Sequence, residues 1–347
     1  MIRATTLGTL KAYRANLNKT TLRMNSARET VLTQRNFNSY AEDPAAAVES
    51  FQLRRSFLKV SAQLDISQTV ARKFDTAYSA VDTVVGLIDN QLEGSALSAI
   101  MAGASDTSGQ GRNALGVELV QMSDSIIESL NCKYGDQFIF SGADGLNIPF
   151  TWEGDGDERT LYFRGYPVDE DSDMLRYIDE REARYVDVGI GLQEDENNNL
   201  IASSTFDSTL QGIHALGYGT DDNDLPNNIA TIIYQMGSIL KRCDSETGEW
   251  ASSEDKEKFQ ALADKFSKSS SELKKYHVEM STKATYLASN HEILEDTAYT
   301  LNEQILAIEQ CEMADAITSF SWAQYSYNAA LKMGNSILSE SLMDFLR

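Results

Sequence analysis

Residues 316–331 read AITSFSWAQYSYNAAL, a run with no charged residue in a chain of which 24% is Asp, Glu, Lys or Arg. On an α-helix this region presents two apolar stripes, on different faces. The first stripe comprises Met313, Ile317, Phe320, Gln324, Tyr327, Leu331, Gly334, Leu338, Leu342 and Phe345, and the second Trp322, Tyr325, Ala329, Met333 and Ile337. Packing on one partner needs only one stripe. We therefore predict that residues 313–347 form a C-terminal assembly helix, and that another chain covers its second stripe.

The N-terminal region shows a matching pattern. Leu10, Leu17, Met24 and Val31 recur every seven residues, which is typical of a coiled-coil seam. The pattern breaks between residues 34 and 42. We predict an N-terminal assembly helix and a turn over residues 1–42, with its seam against the first stripe of the C-terminal helix.

Two long helices are predicted between these ends. Asp43 as N-cap and Pro44 at the first helical position start one of them. Its apolar residues then alternate steps of four and three from Leu53 to Leu92, which predicts one long helix. We assign residues 43–139 to the outgoing arm of a rod, the arm that leads away from the N-terminal helix. A returning arm over residues 226–312 contains eight apolar residues spaced seven apart: Phe259, Phe266, Leu273, Met280, Leu287, Leu294, Leu301 and Ile308. The expected fold is mainly α, a long antiparallel helical rod with a small inserted β-rich domain.

The inserted domain is predicted over residues 140–225. Nine of the 21 glycines lie between residues 145 and 219, around short β-like runs at residues 160–163 and 185–188. Residues 151–225 hold five basic and nineteen acidic residues, whereas residues 1–60 hold ten basic and four acidic ones. We interpret the acidic middle as the solvated surface of an outer domain.

The composition excludes several functions and leaves others weakly supported. A net charge of −22 argues against nucleic acid or an anionic membrane as partner. No cofactor motif, catalytic constellation or transmembrane run occurs, and the N-terminus lacks the apolar core of a secretory signal. The three histidines read as structural and the three cysteines as free thiols. The acidic turns at residues 153–158 and 194–196 could hold calcium, although they lack the spacing of a calcium loop.

Several motifs resemble a known family. The run DQFIFSG, followed by Pro149 and Phe150, resembles the signature of the flagellar hook–filament junction protein, hook-associated protein 3, within the flagellin family. The turn around Asp43 and Pro44, the WEGDG turn at residues 152–156 and the C-terminal SLMDFL run are similar to segments of the same family. The residues that match its signature are Asp43, Pro44, Phe138, Phe140, Ser141, Gly142, Pro149 and Phe150. The LTQR sequence at residues 32–35 departs from the family's usual stretch before the turn.

The resemblance implies a structural adaptor that joins hook and filament through its terminal helices, without enzymatic activity or a cofactor. It further implies termini that are disordered in the monomer, and an extracellular location reached by flagellar export without a cleaved signal. The implied partners are copies of the same chain, an adjacent hook-associated protein, flagellin, the export apparatus and a chaperone. The alternatives are flagellin itself, a soluble helical sensor rod, and an enzyme carried on a helical stalk.

Overall fold

The computed structural model describes residues 2–89, 94–105, 108–154, 159–170, 172–189, 191, 193, 195, 201 and 205–345. Side chains of residues 2–7 and 337–347 lie outside this description. The fold is mainly α, as predicted. Its helices are α1 (Ile2–Thr33), α2 (Pro44–Ile88), α3 (Ala96–Ser105), α4 (Gly109–Leu130), α5 (Asp173–Arg181), α6 (Gly212–Leu216), α7 (Ile229–Lys241), α8 (Ser253–Glu309) and α9 (Met313–Phe345).

Short antiparallel strands occupy the middle of the chain. They are β1 (Lys133–Tyr134), β2 (Gln137–Phe138), β3 (Phe150–Glu153), β4 (Thr160–Phe163), β5 (Tyr166–Pro167), β6 (Tyr185–Val186) and β7 (Phe206–Asp207). β1 pairs with β2, β3–β4–β5 form a three-stranded sheet, and β6 pairs with β7. The predicted strand at residues 160–163 is confirmed as β4, and the one at 185–188 is confirmed only over its first two residues.

The chain divides into two compact units. The terminal unit comprises residues 1–61 and 295–347, and the central unit residues 62–294. In the terminal unit α1 and α9 pack along each other. They run antiparallel, because Tyr13 lies against Gly334 whereas the Sγ of Cys311 contacts the carbonyl of Thr30 near the other end.

The central unit holds most of the buried core. Helix α7 is almost wholly buried and packs along α4, where Gly116 and Gly237 allow the two backbones to touch. The seam predicted on α8 is confirmed from Phe259 to Leu294: Phe259, Phe266 and Met280 are buried, as are Leu273, Leu287 and Leu294. Its last two residues, Leu301 and Ile308, belong to the terminal unit and are half-buried. Spacing of apolar residues by seven keeps them on one face of a long helix, which explains this burial.

Several elements differ from the sequence prediction. α2 starts at Pro44 with the Asp43 carboxylate accepting from the amide of Ala46 at 3.0 Å, so the predicted cap is confirmed. It ends at Ile88, and the predicted Leu92 lies outside the described residues. Helices α3, α5 and α6 were not predicted. A composition rich in Gly and Ser favours loops, but α3 is stabilised by the burial of its apolar residues. α5 is stabilised by Ser172 as its N-cap.

Candidate assembly surface

Large and small residues alternate along the inward side of α9 in the α1–α9 pair. Leu17, Met24 and Val31 are half-buried, and so is Tyr13. On α9 the inward positions are Met313, Ala316, Phe320, Ala323, Tyr327, Ala330 and Gly334. A Cβ on Gly334 would lie 1.9 Å from the Tyr13 hydroxyl, so glycine makes room for that ring. The alanines and Gly334 allow the helices to approach closely, while Trp322, Tyr325 and Met333 remain exposed.

The structure corrects part of the first predicted stripe. Phe320 and Tyr327 are half-buried, but Ile317 and Leu331 are exposed, with Ala316 and Ala330 taking the inward positions. The inward positions share Met313, Phe320, Tyr327 and Gly334 with the predicted stripe, and the two sets differ only at the alternate positions between them. Leu10 on α1 is also exposed. Leu338, Leu342 and Phe345 belong to α9, but their side chains lie outside the described part.

An aromatic face remains open along the outer side of α9. Trp322, Tyr325 and Met333 are 67%, 71% and 64% exposed. A groove of about 480 Å³ lies on this face between Ile317 and Tyr325. A second groove, of about 300 Å³, lies on the other side of Trp322 between α1 and α9. We call Ile317, Trp322, Tyr325, Leu331 and Met333 the outer α9 face. Such a concentration of exposed large apolar side chains on one helix is typical of a protein interface.

A polar junction holds the helix ends of the terminal unit together. Asn36 donates to the carbonyls of Ile308 at 2.9 Å and Gln310 at 3.0 Å. The buried Glu309 carboxylate accepts from Arg54 Nε at 2.6 Å and from the Ser50 hydroxyl. These bonds hold the pKa of Glu309 down at about 2. The junction lies at a break between two helices, since α8 ends at Glu309 and α9 starts at Met313.

The two units differ sharply in charge and in exposed apolar surface. The terminal unit holds twelve basic and twelve acidic residues, so it has no net charge. The central unit holds eighteen and forty, so it carries the whole −22. Of 27 large apolar side chains exposed in the described residues, 14 belong to the terminal unit, which is a third of the chain. Low net charge and exposed apolar area both favour association of a surface with a partner.

Asp43 and Pro44 of the family-like signature are exposed in the terminal unit, whereas its other six residues lie in the central unit. Phe140, Ser141 and Phe150 are almost fully buried, and so are Gly142 and Pro149, while Phe138 is half-buried beneath Lys133. Gly142 has a φ of 72°, and a Cβ there would lie 2.6 Å from a Glu182 oxygen. Glu182 is held by Arg164 at 2.8 Å. The signature therefore fixes a turn and a packed core.

The central unit has one sizeable cleft among the described residues that could suggest chemistry. It measures about 540 Å³ and is lined by residues of α5, α6 and α8. His214 Nδ1 lies 2.8 Å from Asp179, and this contact raises the pKa of His214. The lining residues include serine, but no serine or cysteine is hydrogen-bonded to His214 in the described residues. The arrangement is therefore a surface ion pair, not a nucleophile with its base.

Metal and thiol chemistry find little in the described residues. No group of three or more His, Cys, Asp or Glu side chains there could hold a metal ion. Asp155–Glu158, Glu194 and Glu196, the core of the acidic turns considered for calcium, lie outside the described residues. All three cysteines are free thiols, as predicted, and burial raises the pKa of Cys132 and Cys243. No helix in the described residues has the length and hydropathy of a membrane span.

The fold is that of a helical protein with long terminal helices and a small inserted β-rich region, and it occurs in solved structures. One is assigned as a flagellar hook-associated protein of Vibrio parahaemolyticus; it is 14% identical, with a TM-score of 0.56 over 77% of this chain and 99% of that one. FlgL of Bacillus cereus also matches, at 12% identity and a TM-score of 0.42 over 74% of this chain and 99% of that one. FlgL of Xanthomonas campestris matches at 12% identity and a TM-score of 0.39 over 76% of this chain and 99% of that one. No family model matches the sequence, and no curated protein matches it. At 14% identity, the likeness to the Vibrio parahaemolyticus structure establishes the fold alone.

Proposed function

We propose that this chain is a structural subunit of the bacterial flagellum that joins hook and filament by self-assembly of its terminal helices. The observation that carries the proposal is the outer α9 face, whose aromatic side chains have no partner within the described residues of the chain. Burial of large apolar side chains dominates the energy of protein association, and Trp and Tyr are its commonest anchors. The fold shared with a hook-associated protein supports the same conclusion.

In this proposal residues 1–42 and 313–347 are the assembly segments, residues 43–139 and 226–312 the two arms, and residues 140–225 the outer domain. The acidic outer domain keeps the subunits soluble before assembly, since like charges repel. The partners are copies of this chain, an adjacent hook-associated protein and flagellin, with delivery by the export apparatus and a chaperone. The role is structural and not enzymatic.

A matched pair of variants tests the proposal. Tyr325→Ala with Met333→Ala removes two side chains of the outer α9 face, and Tyr177→Ala with Met174→Ala removes the same two residue types from exposed positions on α5. Purified hooks are incubated with each variant and then with flagellin, and filaments are counted by electron microscopy.

We expect the α9 variant to lose filament nucleation and the α5 variant to keep it, with unchanged monomer melting temperatures in both. Equal nucleation by the two variants would contradict the proposal. Filaments formed by this chain alone, without flagellin, would instead favour the alternative that it is itself a flagellin.

A further inference from the structure

A second apolar face lies on the first turns of α2, away from its buried side. Val48, Phe51 and Leu58 are 53%, 59% and 68% exposed and follow each other at helical spacing. Arg55 and Lys59 lie on the same face and are exposed. Within the described residues neither cation forms an ion pair, in contrast to Arg54, which is held by Glu309. We call these five residues the cationic α2 face.

A face of opposite charge lies on the last turns of α8, in the same unit. Tyr299 is 64% exposed, and Leu306, two helical turns further on, is also exposed. Glu295 and Glu303 lie beside them and are exposed, and the Tyr299 hydroxyl donates to Glu303 at 2.9 Å. We call Glu295, Tyr299, Glu303 and Leu306 the acidic α8 face.

The two faces match each other in size and composition. Each spans eleven residue steps of helix, which is roughly 17 Å at 1.5 Å per residue. Each combines large apolar side chains with two charges of one sign. If either face met the same face of another copy, like charges would come together. If the cationic α2 face meets the acidic α8 face, opposite charges come together.

We infer that the cationic α2 face of one copy binds the acidic α8 face of another copy of this chain. The inference deepens the proposed function, on which it rests, by naming a second contact between subunits. Because two different surfaces meet, the contact is head-to-tail and repeats from copy to copy, so it generates a ring or a helical array. The outer α9 face belongs to a different helix and is a separate contact.

The size of the faces sets how strong this contact is. A strip about 17 Å long and about 10 Å wide covers far less than the roughly 800 Å² per partner of a standard stable interface. The contact therefore orients subunits that α9 also holds, and does not form a stable pair by itself. Its charges lie at exposed positions, so raising the salt concentration weakens it.

Charge reversal tests the pairing directly. One variant carries Arg55→Glu with Lys59→Glu, and the other carries Glu295→Lys with Glu303→Lys. We expect each variant alone to need an about tenfold higher concentration to associate, because like charges now face each other. An equimolar mixture should regain native association, since the altered α2 face of one variant then meets the altered α8 face of the other, and their two unaltered faces also carry opposite charges. Lys256→Glu with Lys258→Glu, at exposed positions on α8 in the central unit, is the control for net charge.

Sedimentation velocity measures the concentration at which each protein associates. Circular dichroism first checks that each variant is folded. Native association by both variants, or no recovery on mixing, would overturn the inference. A second measurement uses the native chain: a carbodiimide joins Lys59 to Glu295 or Glu303 where they touch, and a mixture of ¹⁴N- and ¹⁵N-labelled protein identifies links between copies. Links between copies that map to other residues would also overturn it.

The same series separates this inference from the proposed function. The Tyr325→Ala, Met333→Ala variant is run beside the charge variants. If it associates as the native chain does, the proposed role of α9 fails. If it fails to associate while the charge-reversed variants associate normally, only the α2–α8 contact is refuted.

Discussion

Replacing Glu309 with Gln tests whether the polar junction stabilises the terminal unit. The Glu309 carboxylate is buried and accepts from Arg54 Nε at 2.6 Å and Nη2 at 2.5 Å, and from the Ser50 hydroxyl. These contacts lower its pKa from 4.5 to about 2. A shift of this size corresponds to about 3 kcal/mol of stability at neutral pH. Because the Arg54 side chain is 51% exposed, solvent screening reduces the expected loss to about 1–2 kcal/mol.

The sign of the pH dependence follows from the lowered pKa of Glu309. A carboxyl group whose pKa is lower in the folded than in the unfolded protein stabilises the fold at pH values above its unfolded pKa. This stabilisation is lost as the pH falls through the folded pKa. The native chain should therefore lose stability between about pH 4.5 and pH 2, whereas Glu309→Gln should lose less in that window.

Urea denaturation followed by far-ultraviolet circular dichroism measures the difference. Glu303→Gln, an exposed glutamate on the same helix, is the matched control, and we expect it to stay within about 0.5 kcal/mol of the native chain. A double-mutant cycle with Arg54→Met isolates the ion pair. Equal losses for Glu309→Gln and Glu303→Gln, or a coupling energy of zero, would refute the stabilising role of the junction.

Two predictions concern the central unit, and both are read out by the same denaturation assay. Burial raises the pKa of Asp169 to about 6, so ionisation of this side chain destabilises the fold by at most about 3 kcal/mol as the pH rises from about 4 to 6. Asp169→Asn should therefore stabilise the protein at pH 7.5 and not at pH 3.5. An equal change in stability at both pH values would contradict this. Gly142→Ala should lower the free energy of unfolding more than Gly135→Ala does. Both glycines have a positive φ, which costs an alanine about 1–2 kcal/mol in backbone strain, but only a Cβ at Gly142 meets Glu182. Equal losses of stability would show that Glu182 moves freely.

The long helices could be predicted from the sequence because periodic burial alone defines them. The heptads of α8 and the stripe of α2 that contains Phe74 and Val81 each face one side of a long helix, so spacing is sufficient. The start of α2 was predicted from Asp43 and Pro44 for a local reason, the hydrogen bond of an N-cap.

The inward face of α9 could not be predicted in the same way. Size-based reasoning favoured Ile317 and Leu331, whereas the structure places Ala316 and Ala330 inside. What decides the register is the close approach of two helices, which Gly334 permits by accommodating Tyr13, and such a contact joins residues over 300 positions apart. The polar junction around Glu309 was missed for the same reason, since Ser50 and Arg54 are distant in sequence.

The cationic α2 face shows a different limit. Its Phe51 and Leu58 lie close in sequence to the inward residues Leu53 and Phe57, so a search for one apolar period assigns the helix a single apolar side and misses the second one. Only the exposed fraction of each side chain distinguishes a face that is packed from one that is open.

Oxidative footprinting of the methionines and tryptophans, read by mass spectrometry before and after assembly on hooks, tests the central claim most directly. Met333 and Trp322 are exposed on the outer α9 face, and Met101, 65% exposed in the central unit, is the internal reference. The account predicts that oxidation of Met333 and Trp322 falls severalfold on assembly while that of Met101 stays constant. Unchanged oxidation of Met333 and Trp322 in assembled protein would contradict it.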